Sequence, residues 1–371
     1  MKSLKVLHFI YGDLGFNNFL YPLIKYQKNK SVSQEVVLGG KDIDLSVFKT
    51  KKGKGLHFGY KFGARSPFVS FLKIYRLISR KSPTTIVAHM TLYATYPLLI
   101  SKLLRIENRI YMCHGLSFLG YKGFIRLALK VIDIINIGLS TKTICVTPSI
   151  CDEAKKINKK KDIVTIQPGS AVGLSLDKYI TEKEIEDKCD DVQKRSQLKI
   201  LYVGRGTKRK GIYELLDAAS SKIILEKNII IDLVGFNAGQ MKLGSKKIPK
   251  NIRFHGFQID VRPFYRHSDI IILPSWHDGF GYTLLEGAAF GCAMLASNIP
   301  GPDSLVIDNI NGRLLTPRSS KEIEKIILDY HNDRATLSKH MKNAYLTSLN
   351  YKEEKILSQI HDFILGNQST K

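Results

Sequence analysis

The sequence predicts an α/β protein made of two consecutive domains, each built on a parallel β-sheet. Short runs rich in Val, Ile and Leu alternate with helical stretches along nearly all of the 371 residues. Most runs are continuously apolar, as in strands that helices cover on both faces. Several runs end in Gly, Pro or Ser, where a strand gives way to a loop. A chain of this length can bury two cores of ordinary size.

Twelve runs carry the strand prediction, six in each half of the chain. In the first half they cover residues 5–12, 35–40, 85–90, 109–115, 143–149 and 162–169. In the second half they cover residues 199–206, 229–235, 252–257, 269–275, 293–298 and 312–317. Because helical stretches separate the strands, each half is expected to form a Rossmann-like sheet.

Composition shifts place the domain boundaries. Residues 1–180 form the predicted N-terminal domain and residues 198–350 the C-terminal one. Residues 181–197 are polar and charged, with almost no large apolar side chains, and are predicted to be a linker. The tail 351–371 carries apolar residues at helical spacing, which predicts an amphipathic helix.

The bulk composition excludes several classes of protein. A hydrophobic fraction of 44% and a charged fraction of 24% are typical of a soluble globular protein. No apolar run is long enough to span a membrane, and the N-terminus reads as a buried strand rather than a signal peptide. The five cysteines are odd in number and show no C-x-x-C spacing. We therefore expect a reduced, cytoplasmic setting without a disulfide framework or zinc site.

The net charge of +24 is unevenly distributed along the chain. Residues 1–180 hold 29 Lys and Arg against 10 Asp and Glu, whereas residues 181–371 hold 28 against 23. Such a basic half suggests an anionic partner, which is a nucleic acid, a phosphorylated substrate or an anionic lipid. The alternative is a Lys-rich composition that serves solubility alone.

Part of this excess positive charge lies on two predicted basic helices. Each carries cations on one face next to apolar side chains, as in helices that lie on anionic membranes. The cations are Lys73, Arg76 and Arg80 in the first helix and Lys122, Arg126 and Lys130 in the second. Their apolar neighbours include Phe71, Leu72 and Tyr75, and Phe118, Phe124, Ile125 and Leu129. The alternative is an ordinary solvated helix face.

A glycine turn opens the second half, in the stretch VGRGTKRKGIYELLDAA. A helix that begins near Gly211 presents backbone N–H groups and cations to a phosphate. The dinucleotide fingerprint fails because Arg209 occupies its third glycine position, and no P-loop is present. What remains is Arg205 and Lys210, which flank the turn and are predicted to clamp a diphosphate. A solvated basic turn is the alternative.

A second glycine loop, SWHDGFGYTLLEG, follows the predicted strand 269–275. Gly279 and Gly281 allow close approach of a ligand to the backbone. Asp278 lies on this loop and Glu286 about one turn into the next helix. Ligands in open α/β sheets bind at the carboxyl ends of strands, and carboxylates there can accept hydrogen bonds from sugar hydroxyls.

Taken in order, these motifs resemble the retaining glycosyltransferases of family 4, which have the GT-B fold. The resembling patterns are V-G-R-x4-K-G, P-S-x2-[DE]-G-F-G-x4-E and G-x-x-x-x-V-x-[DN]-x-x-N-G. The first half, through IVAHMTLYATYPLLISKLLRIENRIYMCHGLSF and TICVTPS, resembles members that extend bacterial surface polysaccharides. The resemblance implies two Rossmann-like domains that face a central cleft, with the tail helix packed back on the N-terminal domain.

The resemblance also implies roles for individual residues. The donor diphosphate binds Arg205 and Lys210, the ribose binds Glu286, and the donor sugar binds Asp278. The amides of Gly279, Phe280 and Gly281 lie beside the donor.

Two further roles are implied in the first half, and two departures stand out in the second. His114, in the C-H-G-L turn, reaches the reaction centre, and Gly15 lines the acceptor side, where most members have two glycines. Asp278 replaces the usual Glu and is one methylene shorter. Ser304 stands where a Glu often follows the later glycine loop, with Asp303 beside it.

The activity that the resemblance implies is transfer of a sugar, with retention, from a nucleotide diphosphate sugar to a glycan hydroxyl. The donor is UDP-linked in preference to GDP-linked, and no metal or other cofactor is required. The acceptor is a polyprenyl-diphosphate-linked glycan of O-antigen or capsule synthesis. The protein is then cytoplasmic, peripheral on the inner membrane face, and has no nucleic-acid partner.

Three alternatives remain open at this point. The high pI is compatible with a nucleic-acid-binding protein, although no helix-turn-helix, RRM or zinc pattern is present. A GT-B phosphorylase or a nucleotide-sugar epimerase has a similar architecture. An inactive family member is the third alternative, for which Asp278 is the one indication.

Overall fold

A computed structural model describes residues 5–12, 15–27, 33–39, 56–58, 67–159, 161–175, 179–241 and 248–366. The chain forms two compact units. We call Met1–Gly173 together with Glu353–Lys371 the N-terminal unit, and Leu174–Lys352 the C-terminal unit. The boundary between them thus lies a few residues before position 180.

The described part of the N-terminal unit contains one parallel sheet of seven strands. Its order is β3-β2-β1-β4-β5-β6-β7. The strands are β1 (Lys5–Tyr11), β2 (Ser33–Gly39), β3 (Leu56–Phe58), β4 (Thr85–His89), β5 (Asn108–Cys113), β6 (Lys142–Cys145) and β7 (Asp162–Thr165). All six runs predicted in the first half are strands. The sequence did not predict β3, because three residues in a Gly- and Lys-rich stretch carry too little pattern.

Helices cover the faces of this sheet. They are α1 (Tyr21–Gln27), α2 (Pro67–Lys81), α3 (Thr91–Leu103), α4 (Gly123–Leu139) and α5 (Pro148–Ile157). A π-turn, Phe16–Leu20, leads into α1. The helix α2 buries Ile74, Leu77 and Ile78 in one cluster with Leu7 and Phe9 of β1. The continuous apolar runs of the strands are therefore explained by burial from both sides.

The predicted linker 181–197 is wrong, because most of it forms a helix of the C-terminal unit. This helix, α6 (Glu182–Lys194), begins with a capping box in which Thr181 and Glu184 exchange hydrogen bonds. It buries Ile185, Cys189 and Val192. These three side chains are modest in size and spaced by four and three residues, so the apolar stripe is narrow and easily overlooked among the charges.

The described part of the C-terminal unit contains a second parallel sheet, with the order β10-β9-β8-β11-β12-β13. Its strands are β8 (Leu198–Val203), β9 (Ile229–Val234), β10 (Ile252–Phe254), β11 (Ile270–Leu273), β12 (Ala293–Ser297) and β13 (Gly312–Leu315). The remaining helices are α7 (Ile212–Ala219), α8 (Lys222–Leu225), α9 (Arg262–His267), α10 (Tyr282–Ala289), α11 (Ser320–Asn332) and α12 (Arg334–Ser348). The predicted fold class, two Rossmann-like parallel sheets, is confirmed.

The C-terminal helix α13 (Glu353–Leu365) is part of the N-terminal unit. Its apolar stripe is buried, and it packs against α1, where the His361 and Tyr26 rings meet edge to face at 5.9 Å. Asn108 Nδ2 donates to the Ile364 carbonyl at 3.2 Å. The Lys142 ammonium lies 4.9 Å from the centre of the Phe363 ring. The helix α13 therefore contributes to the hydrophobic core of the N-terminal unit.

Candidate active site

Two loops of the C-terminal unit, each following a strand at the centre of the sheet, form the candidate site. Strands β8 and β11 are hydrogen-bonded neighbours, so their carboxyl ends lie side by side. The basic turn 204–211 follows β8, and the acidic loop 274–281 follows β11. The Trp276 amide donates to the Arg209 carbonyl at 2.9 Å and joins the two loops directly.

Gly211 allows this close approach. Its φ is +71°, and a Cβ at this position would lie 1.9 Å from the Pro274 carbonyl oxygen. A side chain is thus excluded both by the backbone conformation and by the neighbouring loop. The same residue precedes α7, so the start of that helix is fixed against the acidic loop.

Lys210 and Asp278, which are 68 residues apart in the chain, form an ion pair. Lys210 Nζ lies 2.5 Å from Asp278 Oδ2, and the two side chains are 24% and 19% exposed. The other carboxylate oxygen, Oδ1, accepts from the Gly279 amide at 2.9 Å. An anionic ligand can therefore replace Asp278 as the partner of Lys210. The hydrogen bond from the Gly279 amide then keeps the Asp278 carboxylate oriented.

Arg205 lies on the same basic turn, and its side chain is exposed. Its carbonyl accepts from the Tyr202 hydroxyl at 2.8 Å, which fixes the backbone of the turn. The adjacent Gly206 leaves room for Phe236, since a Cβ there would come within 2.3 Å of the Phe236 ring. The guanidinium is thus mounted on a rigid turn but is itself free to reorient in solvent.

Glu286 lies on α10, and one of its oxygens has a fixed partner. The buried Tyr265 donates its hydroxyl to Glu286 Oε2 at 2.7 Å. Burial raises the pKa of Glu286, and the Tyr265 hydrogen bond opposes this shift. The hydrogen bond leaves Oε1 to accept from a ligand hydroxyl. Tyr265 could not be predicted from the sequence, because its contact joins two short helices that share no motif.

In the loop Gly279–Gly281, the backbone and the side chains have different roles. Gly281, at φ +91°, caps α10 and needs the left-handed conformation. Phe280 is 3% exposed and packs edge to face against Tyr351 at 5.7 Å, so its side chain belongs to the core. Only its backbone and that of Gly279 can take part in binding.

Trp276 is the second feature that the sequence did not reveal. Its indole Nε1 donates to Glu214 Oε1 at 3.2 Å. Arg318 lies 4.1 Å and Lys208 5.6 Å from the centre of the ring. Since this is the only tryptophan of the chain, its fluorescence reports on the loops of the candidate site.

The later glycine loop packs on the acidic loop. A Cβ at Gly301 would lie 2.6 Å from the Asp278 carbonyl oxygen. Asp303 Oδ1 accepts from the Gly301 amide at 3.1 Å and from the Ser304 hydroxyl at 3.3 Å. Asp303 and Ser304 therefore hold their own loop in shape, and this loop in turn supports the backbone of Asp278.

The two predicted site residues of the N-terminal unit both adjoin the π-turn Phe16–Leu20. His114 directly follows β5, and the Phe19 ring of the π-turn lies 5.1 Å from it. Gly15 caps this π-turn, and a Cβ there would lie 2.8 Å from Met90 Cε. Burial lowers the pKa of His114 to about 4, so its imidazole is neutral at physiological pH.

The basic helices expose all the predicted cations, but their apolar residues are arranged differently from the prediction. On α4, Phe124 is 82% and Ile125 54% exposed, whereas Phe118 is buried and Leu129 packs on the core. Further exposed apolar side chains continue the same helix, namely Leu127, Val131, Ile134 and Ile135. The exposed face of α4 is therefore far more apolar than the sequence pattern indicated.

The described residues contain neither a membrane-spanning helix nor a metal-binding cluster. None of their helices combines the length and the apolarity needed to cross a bilayer. No group of three or more His, Cys, Asp or Glu side chains among them is arranged to hold a metal ion.

Comparison with known proteins places these loops in context. Residues 184–347 match the family model described as Glycosyl transferases group 1. An Escherichia coli UDP-Gal:alpha-D-GlcNAc-diphosphoundecaprenol alpha-1,3-galactosyltransferase is 23% identical over 298 residues, which cover 76% of this chain and 75% of the relative.

A Campylobacter jejuni relative spans nearly the whole chain. This N,N'-diacetylbacillosaminyl-diphospho-undecaprenol alpha-1,3-N-acetylgalactosaminyltransferase is 22% identical over 371 residues, covering 94% of this chain and 96% of its own. Among solved structures, Anabaena Alr3699/HepE in complex with UDP and glucose superposes with a TM-score of 0.75 at 16% identity, over 98% of this chain and 100% of that one. The structural match extends over both units and confirms the GT-B fold.

Proposed function

We propose that this member of the group 1 glycosyltransferases moves a sugar from a nucleotide diphosphate sugar to a hydroxyl of a glycan acceptor. The observation that carries the proposal is the pair formed by Lys210 and Asp278 across two neighbouring loops. A cation for a diphosphate and a carboxylate for sugar hydroxyls are thus held together at the carboxyl ends of adjacent parallel strands.

The donor makes four kinds of contact in this proposal. Its diphosphate displaces Asp278 from Lys210 and recruits the exposed Arg205. The released carboxylate, still held by the Gly279 amide, accepts from a hydroxyl of the donor sugar. Glu286 accepts from the ribose hydroxyls through the oxygen that Tyr265 does not occupy. The names of the relatives support UDP as the nucleotide in preference to GDP.

The transfer itself proceeds with retention and without a metal ion. The acceptor hydroxyl attacks the anomeric carbon on the face from which the diphosphate departs. A new C–O bond forms, the C–O bond to the diphosphate breaks, and the hydroxyl proton passes to a departing phosphate oxygen. Lys210 and Arg205 stabilise the charge that develops on that leaving group. His114 of the N-terminal unit takes part in the same reaction as a neutral imidazole.

The acceptor is a polyprenyl-diphosphate-linked glycan of surface polysaccharide synthesis, either O-antigen or capsule. Both named relatives act on diphosphoundecaprenol-linked sugars, which supports an acceptor in the membrane. The exposed apolar side chains of α4, next to Lys122, Arg126 and Lys130, suit attachment to an anionic lipid surface. The protein then works in the cytoplasm, on the inner face of the membrane, and needs no nucleic-acid partner.

A panel of UDP-, GDP- and dTDP-sugars tests this function. We expect one UDP-sugar to raise the melting temperature, to change Trp276 fluorescence and to be consumed only when a lipid-linked glycan is present. NMR of the product should show the anomeric configuration of the donor, and EDTA should leave the rate unchanged. No response to any nucleotide sugar contradicts the function. Inversion contradicts retention, and sugar release by inorganic phosphate identifies a phosphorylase instead.

A further inference from the structure

Three histidines line up across the sheet of the N-terminal unit. His8 lies on β1, His89 ends β4 and His114 follows β5, and these strands are direct neighbours. The ring centres of His8 and His89 are 5.8 Å apart, and those of His89 and His114 are 5.3 Å apart and nearly parallel. His89 Nδ1 lies 3.0 Å from His114 Nε2. Only His114 has a catalytic role in the proposed function, so the neighbouring histidines need an explanation.

All three rings are neutral at physiological pH. Burial lowers the pKa of His114 to about 4 and that of His8 to about 3, where a polar contact with Gln34 opposes the shift only in part. The pKa of His89 is also lowered well below its usual value, first by burial and then by the two neighbouring histidines. Each ring therefore carries one proton, and the short contact between His89 and His114 holds a single hydrogen.

Two arrangements of that hydrogen are possible. In the first, His89 Nδ1 donates to His114 Nε2, and His114 then carries its own proton on Nδ1. In the second, His114 Nε2 donates, and His89 must place its proton on Nε2. His89 Nε2 is a bare lone pair in the first arrangement and an N–H group in the second, so the surroundings of this atom decide between them.

His89 is 1% exposed, and its Nε2 has no hydrogen-bond partner among the described residues. The second arrangement buries an N–H without an acceptor, which costs about 1–3 kcal/mol. The first buries only a lone pair, and buried acceptors without partners are tolerated more often than buried donors. The first arrangement is therefore the stable one.

We propose that His89 is a positioning residue that holds His114 in the tautomer with its proton on Nδ1. His114 then presents an N–H donor to an oxygen of the substrate, and it has no outward lone pair with which to act as a base. The second half of this inference rests on the proposed function, because it needs a sugar or phosphate oxygen as the acceptor. The first half concerns the protein alone.

Nitrogen NMR of the protein labelled with ¹⁵N-histidine tests the tautomer without any substrate. Wild-type His114 is expected to show a protonated Nδ1 and a bare Nε2 at neutral and alkaline pH. A bare Nδ1 overturns the proposal. Because no turnover is measured, this result stands or falls independently of the glycosyltransferase function.

A matched pair of variants, His89→Asn and His89→Asp, tests the consequence for transfer. The two side chains have the same size, but the Asn amide can donate to His114 Nε2, whereas a carboxylate can only accept. At alkaline pH we expect Asp to move the His114 proton to Nε2 and to lower kcat/KM for transfer about 10- to 100-fold, as for one lost hydrogen bond in the transition state. Asn should retain most of the wild-type rate.

Circular dichroism and donor binding, measured by Trp276 fluorescence, serve as controls for folding and for the C-terminal unit. Equal rates for the Asn and Asp variants, when NMR shows that their tautomers differ, overturn the role of His89 in the reaction. If the wild-type protein transfers no sugar, the proposed function fails, and the NMR experiment still decides the tautomer.

Discussion

The two units share one strand order but handle charge in opposite ways. In the C-terminal unit, cations meet carboxylates from distant parts of the chain, as in Lys210 with Asp278 and Arg195 with Asp269. The described part of the N-terminal unit also has one such pair, Lys81 with Glu35, but its most unusual polar feature is a row of three neutral histidines. Its cations on α4 are exposed and form no salt bridge with a described carboxylate.

This difference indicates a division of labour between similar sheets. Paired charges in partly exposed loops can exchange partners with an anionic ligand, which agrees with the diphosphate site that we propose for the C-terminal unit. Neutral imidazoles hold hydrogen bonds of fixed direction but attract no anion. Unpaired surface cations beside exposed apolar side chains are suited to a lipid surface, which is what we propose for the N-terminal unit.

The largest expected effect comes from removing the cation of the C-terminal site. Lys210→Ala should lower transfer about 10²- to 10³-fold, because the charge on the departing diphosphate loses its fixed partner. Lys208→Ala is the matched control, since Lys208 lies on the same turn, is exposed and faces the Trp276 ring instead of a carboxylate. Transfer rates and Trp276 titrations with the donor measure both variants.

The control should retain nearly the wild-type rate. If both lysine variants slow transfer equally, the basic turn acts through its total charge, and the pairing of Lys210 with Asp278 has no special role. If neither slows it, the donor site lies elsewhere. Either result would also contradict the proposal that the paired charges of the C-terminal unit bind an anion in a way that the N-terminal unit does not.

The parts of the site that the sequence predicted are those carried by local motifs. Residues 184–347 match the model of the group 1 glycosyltransferases, the predicted fold is confirmed, and the structure brings Lys210 and Asp278 into contact. Parallel strands with short loops always gather their carboxyl-end loops at one edge, so such residues can be foreseen from spacing. Their assignment to diphosphate and sugar stays a prediction.

The parts that the sequence missed depend on contacts between segments with no common pattern. Tyr265 reaches Glu286, Trp276 reaches Glu214 and His89 reaches His114 only after the chain has folded. The pattern also failed where a helix has a narrow apolar stripe, as in residues 182–194. On α4 it could not tell which apolar side chains face the core, since nearly every position is apolar.

The exposed face of α4 provides the second prediction. The protein should sediment with anionic but not with neutral vesicles, and less so as salt increases. Phe124→Ser with Leu127→Ser should weaken binding by about tenfold per residue, because each loses roughly 1.4 kcal/mol or more of apolar burial. Phe257→Ser in the C-terminal unit, which removes an aromatic ring that is 78% exposed, should leave binding unchanged.

Equal binding to neutral and anionic vesicles would show that charge plays no part. A loss of binding in the Phe257 variant as large as in the α4 variant would mean that the attachment is not confined to the N-terminal unit.

The smallest effect concerns stability at acid pH, where the two interiors should behave differently. A buried neutral histidine has a folded-state pKa below its unfolded-state value of about 6.5. As the pH falls below about 6.5, the unfolded chain takes up a proton that the folded chain does not, so the free energy of unfolding decreases. For His8, with a folded pKa of about 3, the loss is about 2 kcal/mol between pH 6.5 and 5. In the same unit, burial raises the pKa of Asp133 to about 7. Asp133 therefore favours folding as the pH falls, and this offsets the loss of stability from one of the three histidines.

In the C-terminal unit the shifts have both signs. Burial raises the pKa of Glu286 and Asp269, so both favour folding as the pH falls, whereas burial lowers the pKa of His331 and His340, which oppose them. At pH 5 we therefore expect circular dichroism, which detects both units, to change at a lower temperature than Trp276 fluorescence, which detects only the C-terminal one. His8→Leu should narrow that gap by roughly 4–8 °C, as expected for about 2 kcal/mol in a unit of this size. If the gap is the same at pH 5 and 7.5, or Trp276 unfolds first in acid, the histidine row is not the acid-sensitive element of the fold.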